Sequence, residues 1–169
     1  MNDENDVTFR ISNYSKKWYK GGLLHREYGP AIEFFDGTKH WYINGKCHRV
    51  DGPAIERADG SRAWYINGQL HRLDGPAIIE WYGDKQWYVN GKLHREDGPA
   101  REWANGSKEW YINGKEYTEE GFKNASEKIN VEVKMKKNVA MMLLTCNHIK
   151  LSGSVYNIMY RNGMFVIQA

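Results

Sequence analysis

The chain has 169 residues, 24 Lys and Arg against 21 Asp and Glu, and a formal net charge of +3. That length suits one domain with a small appendage and is enough to bury a core; the mixed charge excludes the concentrated basic stripe of a dedicated duplex binder. Two cysteines in dissimilar contexts, Cys47 and Cys146, exclude a disulfide framework and a CxxC metal pair, and point to a reducing, cytoplasmic setting.

The first ten residues, "MNDENDVTFR", are polar and acidic with no apolar h-region, so no signal peptide is expected. Within residues 1–17, Val7–Ile11 alternates as a strand and predicts an N-terminal capping strand. A clock starts at residue 18. Trp18, Trp41, Trp64, Trp87 and Trp110 are 23 residues apart, and Gly22, Gly45, Gly68, Gly91 and Gly114 keep the same step. "WYINGKCHRVDGPA" from Trp41 returns as "WYINGQLHRLDGPA" from Trp64 and "WYVNGKLHREDGPA" from Trp87. A fixed period of this size signals an array of small supersecondary units, here over residues 18–117.

Each unit holds two hairpin signals. Asn44-Gly45, Asn67-Gly68, Asn90-Gly91 and Asn113-Gly114 suit type I′ turns, which need positive φ at both central positions. Asp36-Gly37, Asp59-Gly60 and Asn105-Gly106 form the second series, with Tyr82-Gly83-Asp84 as its variant. The proline of "DGPA" cannot donate to a ladder and marks a connection. The expected fold is mainly β: an elongated, twisted antiparallel β-meander of five 23-residue hairpin repeats, with a C-terminal helix and a small β-rich tail over 118–169.

With two-residue loops at both turns, Tyr42 faces Cys47, Ile43 faces Lys46 and Trp41 faces His48, while Ile32 faces Trp41 and Glu33 faces His40. One sheet face then carries Trp18, Trp41, Trp64, Trp87 and Trp110 with Ile32, Phe34, Ile43, Ile55 and Ile78. We read these tryptophans, and turn residues Gly45, Gly68, Gly91 and Gly114, as structural. The other face carries Tyr42, Tyr65, Tyr88 and Tyr111 with Arg49, Arg72, Arg95, Glu33 and His40. Aromatic bodies beside arginines are the anchors that dominate protein interfaces, so these tyrosines and arginines are the candidate partner-binding residues.

The phased copies resemble the MORN repeat, and more narrowly its "WYxNGxxHRxDGPA" variant found in bacteriophages and large DNA viruses. The resemblance covers about 18–123. It implies a single twisted antiparallel sheet, one hairpin per repeat, serving as a binding or assembly scaffold.

Beyond the array, Thr118 reads as a helix N-cap with Glu119 and Glu120 in an acidic first turn. Phe122, Ala125 and Ile129 share one helical face. "VEVKM" from Val131 alternates as a strand, "NVAMMLLT" suits a strand or a buried helix, and "VYNIMYRNGMFVIQA" has hairpin form around Asn162-Gly163. Residues 130–169 either pack on the repeat sheet, the favoured reading, or form a partner or self-association surface. The longest apolar run, Val139–Cys146, is far short of a membrane span.

His25, His48, His71 and His94 recur beside Arg26, Arg49, Arg72 and Arg95 and could suggest metal binding. Catalysis needs one asymmetric constellation rather than identical copies, so a framework role is expected. His40 and His148 stand outside the series, as surface or satisfied core residues. Asp51, Asp74 and Asp97 read as turn residues that bond their own backbone. Glu33, Glu56 and Glu102 are expected to meet Arg or Lys across strands. No Walker loop, GxSxG elbow, HExxH or catalytic Cys-His signature is present.

The sequence therefore predicts a non-enzyme with no catalytic residues, metal or cofactor. It predicts a protein-recognition scaffold, binding a partner protein through the exposed repeat face and the C-terminal tail. One alternative, raised by the resemblance, is a phage- or virus-encoded inhibitor of a host defence protein in the host cytoplasm. Another is a nucleotide or single-stranded nucleic-acid binder using the Tyr/Arg face; the glutamates on that face and the small net charge weigh against it. The oligomeric state stays open.

Overall fold

The computed structural model of the chain describes residues 7–146, 157–161 and 164–168. His148 and the Asn162-Gly163 turn lie outside them. The fold is mainly β, with an open 12-stranded antiparallel sheet, small hairpin sheets and one C-terminal helix. The chain divides into two compact units, Met1–Ser126 and Glu127–Ala169.

The sheet begins with β1 (Val7–Ile11) paired to β2 (Ser15–Lys20), Phe9 opposite Trp18. It then runs in chain order through Ile32–Phe34, Lys39–His40, Ile55–Glu56, Arg62–Ala63, Ile78–Ile79, Lys85–Gln86, Arg101–Glu102, Lys108–Ile112 and Lys115–Tyr117. Between these lie the short hairpins Tyr42–Ile43 with Lys46–Cys47, Tyr65–Ile66 with Gln69–Leu70, and Tyr88–Val89 with Lys92–Leu93.

Backbone bonds show why the hairpins are not separate layers. Trp41 donates its N–H to the Ala54 carbonyl at 2.8 Å and accepts from the His48 N–H at 3.0 Å. Neighbouring N–H and C=O groups of one strand residue point the same way, so Lys46–His48 and Ala54–Glu56 flank one side of a single strand. Residues 49–53 are an excursion between them, and its Pro53 has no N–H to leave unpaired. Successive hairpins are then joined: Gly68 N–H donates to the Cys47 carbonyl at 2.8 Å, and Arg49 N–H to the Tyr65 carbonyl at 3.1 Å.

The Asn-Gly turns are two-residue turns with both residues at positive φ, for example Asn67 at 52° and Gly68 at 84°. They keep the expected register, Tyr42 opposite Cys47 and Ile43 opposite Lys46. The Asp-Gly turns differ from the expectation. Phe34 N–H donates to Thr38 O at 2.9 Å, Gly37 N–H to Phe34 O at 3.1 Å, and Gly37 sits at φ 98°. That is a three-residue loop closed by a left-handed glycine. Ile32 is therefore opposite His40, and Glu33 opposite Lys39. A slip of one residue exchanges faces: Ile32, Phe34, Ile55 and Ile78 lie on the tyrosine side, not the tryptophan side. The His40 ring confirms this, 5.2 Å from Phe34 and 6.4 Å from Tyr42 between centroids.

The buried core is thin. Ala31, Ala54, Ala77 and Ala100 are fully buried, with Ile32, Ala63, Ile112 and Phe122 nearly so.

The helix α1 (Glu119–Cys146) starts as the sequence suggests, with Gly121 N–H on Thr118 Oγ1 at 3.1 Å and Phe122 buried beneath its first turn. It continues farther than expected. "VEVKM" is helical, not a strand, and so is the described part of "NVAMMLLT". No glycine or proline occurs between Gly121 and Gly153. Lys128, Glu132 and Lys136 are spaced four apart, which supports a helix. A five-residue alternation is outweighed by the helix preference of Glu, Lys and Met around it. The final hairpin pairs Asn157–Arg161 with Met164–Gln168, Arg161 opposite Met164, in keeping with the hairpin form expected there.

Candidate functional site

The arginines of the "HRxDGPA" segment have a role the sequence reading missed. The guanidinium carbons of Arg26, Arg49, Arg72 and Arg95 lie 3.9, 4.1, 4.0 and 4.1 Å from the ring centroids of Trp18, Trp41, Trp64 and Trp87. Such cation–π contacts contribute about 0.5–2 kcal/mol each. Arg49 also donates to Pro53 O at 3.2 Å, Glu56 Oε1 at 2.9 Å and Asp51 Oδ1 at 3.0 Å. Its side chain is 22% exposed. Arg49, Arg72 and Arg95 therefore sit on the tryptophan side and do not share a face with the tyrosines.

The same geometry explains other residues. A Cβ on Gly75 would lie 3.1 Å from the Arg72 guanidinium carbon, so glycine there leaves room for the stacked arginine. Glu33, Glu56 and Glu102 pair with Arg26, Arg49 and Arg95 at 2.8–2.9 Å, seven residues away along the chain. Ile79 stands in that series, so Arg72 has no glutamate partner. Asp51, Asp74 and Asp97 accept the Nε–H of the arginine two residues earlier. That hydrogen bond holds each carboxyl below its ordinary range. Each also bonds its own backbone, as the sequence suggests, and Asp36 and Asp59 likewise bond within their turns, accepting from Thr38 N–H and Ser61 N–H at 2.8 Å.

The histidines are framework residues with a specific task. Nδ1 of His25, His48, His71 and His94 accepts the backbone N–H of Asn44, Asn67, Asn90 and Asn113 at 3.0–3.2 Å, 19 residues ahead. Each imidazole thus ties its own unit to the Asn-Gly turn of the next. Among the described residues, no group of three or more His, Cys, Asp or Glu could hold a metal ion. A second tie joins the other turns: Thr38 Oγ1, Ser61 Oγ and Asp84 Oδ1 accept the N–H of Ala58, Trp81 and Ala104 at 3.1, 3.1 and 2.7 Å. Ser61 is 1% exposed. The period in "T/S/D" at 38, 61 and 84 was visible, but only the three-residue loop gives it meaning.

What remains uncommitted is the tyrosine side. Tyr42, Tyr65, Tyr88 and Tyr111 are all half-buried, beside Ile32, Ile55, Ile78, His40 and Cys47. Burial pushes the Cys47 thiol up to about 12. Burial first, then the neighbouring Cys47, raises the Tyr42 and Tyr65 hydroxyls. Burial, then Arg57, lowers His40.

This side is not uniform. Arg101 occupies the place held by Ile32, Ile55 and Ile78, and pairs with Glu109 at 3.1 Å. Glu109 also accepts from Trp103 Nε1 at 3.0 Å and Tyr111 Oη at 3.3 Å. The tyrosine side thus carries two ion pairs, Arg57–Glu80 at 3.1 Å in its middle and Arg101–Glu109 at one end.

A scan against protein-family models, a search of curated proteins and a search of solved structures each found no match to this chain. Among the described residues no helix is long and apolar enough to cross a membrane.

Proposed function

We propose that the chain is a non-enzymatic, MORN-like scaffold of five 23-residue units that binds a partner protein in the cytoplasm through its tyrosine face, with residues 130–169 adding specificity. The observation that carries this reading is the division of labour between the two faces. Trp and Arg are engaged with each other inside each unit and His ties one unit to the next, while Tyr42, Tyr65, Tyr88 and Tyr111 form a half-exposed row with no such task. Tyrosine on a rigid sheet supplies contact area at low entropic cost, which suits protein recognition. Phe34 and Ile32 begin the row, while Arg57–Glu80 and Arg101–Glu109 follow along it, which gives the row a direction. With Arg49, Arg72 and Arg95 on the other face, the tyrosine side keeps Arg57 and Arg101, each already paired with a carboxylate, Glu80 and Glu109; that favours a protein over a nucleic acid, whose phosphates need unpaired cations. The phage- and virus-type motif extends the reading to an inhibitor that blocks a host defence protein.

The test is purification of the tagged intact chain from its native cell, with mass spectrometry and an absorbance ratio at 260 and 280 nm. One stoichiometric protein and no excess absorbance at 260 nm is the expected result. A co-purifying nucleotide or oligonucleotide without a protein would overturn it.

A further inference from the structure

The two ends of the long sheet are finished differently. The C-terminal edge, Lys115–Tyr117, carries Lys115 and Glu116 and leads into the capped helix through Thr118. Charged residues on an edge strand discourage pairing with other chains. The N-terminal edge carries a single charge, Arg10, and that side chain leans back over the Tyr19 ring at 5.1 Å. All five residues of β1 are exposed, Val7 at 63%, Phe9 at 49% and Ile11 at 64%. Among the described residues β1 pairs only with β2, so its outer edge presents unpaired N–H and C=O groups.

We propose that β1 is a homodimer interface, pairing antiparallel with β1 of a second copy about a two-fold axis through Phe9. The sequence of the strand is self-complementary in that register. Phe9 faces Phe9, and Val7 faces Ile11, giving six apolar side chains on one face. That patch continues into Trp18 of each copy, whose ring is 4.9 Å from Phe9. On the opposite face Arg10 meets Thr8 of the other copy, so the only charge of the strand never faces its own equivalent. Like charges directly opposite would destabilise such a pair. The arrangement is isologous and closed, so it stops at two copies. An edge pairing onto Lys115–Tyr117 would instead be head-to-tail, and would set Val7, Phe9 and Ile11 against a charged strand.

The experiment uses the full chain, with Cys47→Ser and Cys146→Ser where cysteines are introduced. Sedimentation equilibrium across micromolar concentrations should give twice the chain mass. Phe9→Lys places two lysines together on the axis and should weaken the dimer at least about tenfold, with the far-UV spectrum retained. Phe9→Cys should cross-link to itself under mild oxidation, whereas Val7→Cys should cross-link only when mixed with Ile11→Cys. A monomer at every concentration would overturn the proposal. So would a dimer that Phe9→Lys leaves intact, or one in which Phe9→Cys fails to cross-link.

Discussion

Arg49 and Arg72 hold equivalent places, each stacked on a tryptophan, yet only Arg49 has a glutamate partner. Arg49→Ala removes a cation–π contact and a charge-assisted bond to Glu56, and should cost about 1–3 kcal/mol in urea unfolding. Arg72→Ala should cost less, about 1 kcal/mol, because Ile79 offers no carboxylate to strand. Equal losses would show that the ion pair contributes nothing. Cys47 gives a second test. With its thiol held near 12 by burial, a Cys146→Ser chain should react slowly with iodoacetamide at pH 8 and quickly in urea. The 23-residue tryptophan and glycine periods were readable from the sequence alone. The arginines were not, because their side depends on where the 49–53 excursion turns them, and alternation along a regular strand does not reach through an excursion.

At the level of the element, turn length decided more than residue pattern. The Asn-Gly turns follow from residue type, since both positions need positive φ. The Asp-Gly turns look alike in sequence but hold a third loop residue, and that single residue moves Ile32, Ile55 and Ile78 to the tyrosine side. The loop also brings Ser61 against the next turn. Ser61→Ala would remove the acceptor of the Trp81 N–H from a part-buried bond, and should cost about 1 kcal/mol by chemical denaturation. A neutral result would remove the second tie from the account. The helix teaches the same lesson from the other side: "VEVKM" has strand alternation, but five residues cannot override a long stretch free of glycine and proline.

For the whole molecule, the 23-residue step makes a strong structural prediction. Removing residues 64–86, one full period, joins Ala63 to Trp87 and should leave a shorter array that unfolds cooperatively. Removing 64–85 shifts the register by one, turns each face over and should not fold. Stability should also fall on the acid side in two stages. His40 lies below its ordinary value of 6.5 in the folded chain, so its contribution is complete above that pH and declines as pH drops beneath it, where the unfolded chain takes up the proton first. Asp51, Asp74 and Asp97 lie below their ordinary 3.8, so their contribution is lost later, as pH falls through that range. Urea midpoints against pH should show the first decline in the parent chain and not in His40→Phe. The tyrosine face and the modular sheet together make the functional claim, and binding tests it most directly. The measurement is capture of the partner by the parent chain and by Tyr65→Ala/Tyr88→Ala, with urea midpoints measured alongside. The double variant should keep its fold and lose the partner. Retention of the partner by that folded variant would contradict the functional claim.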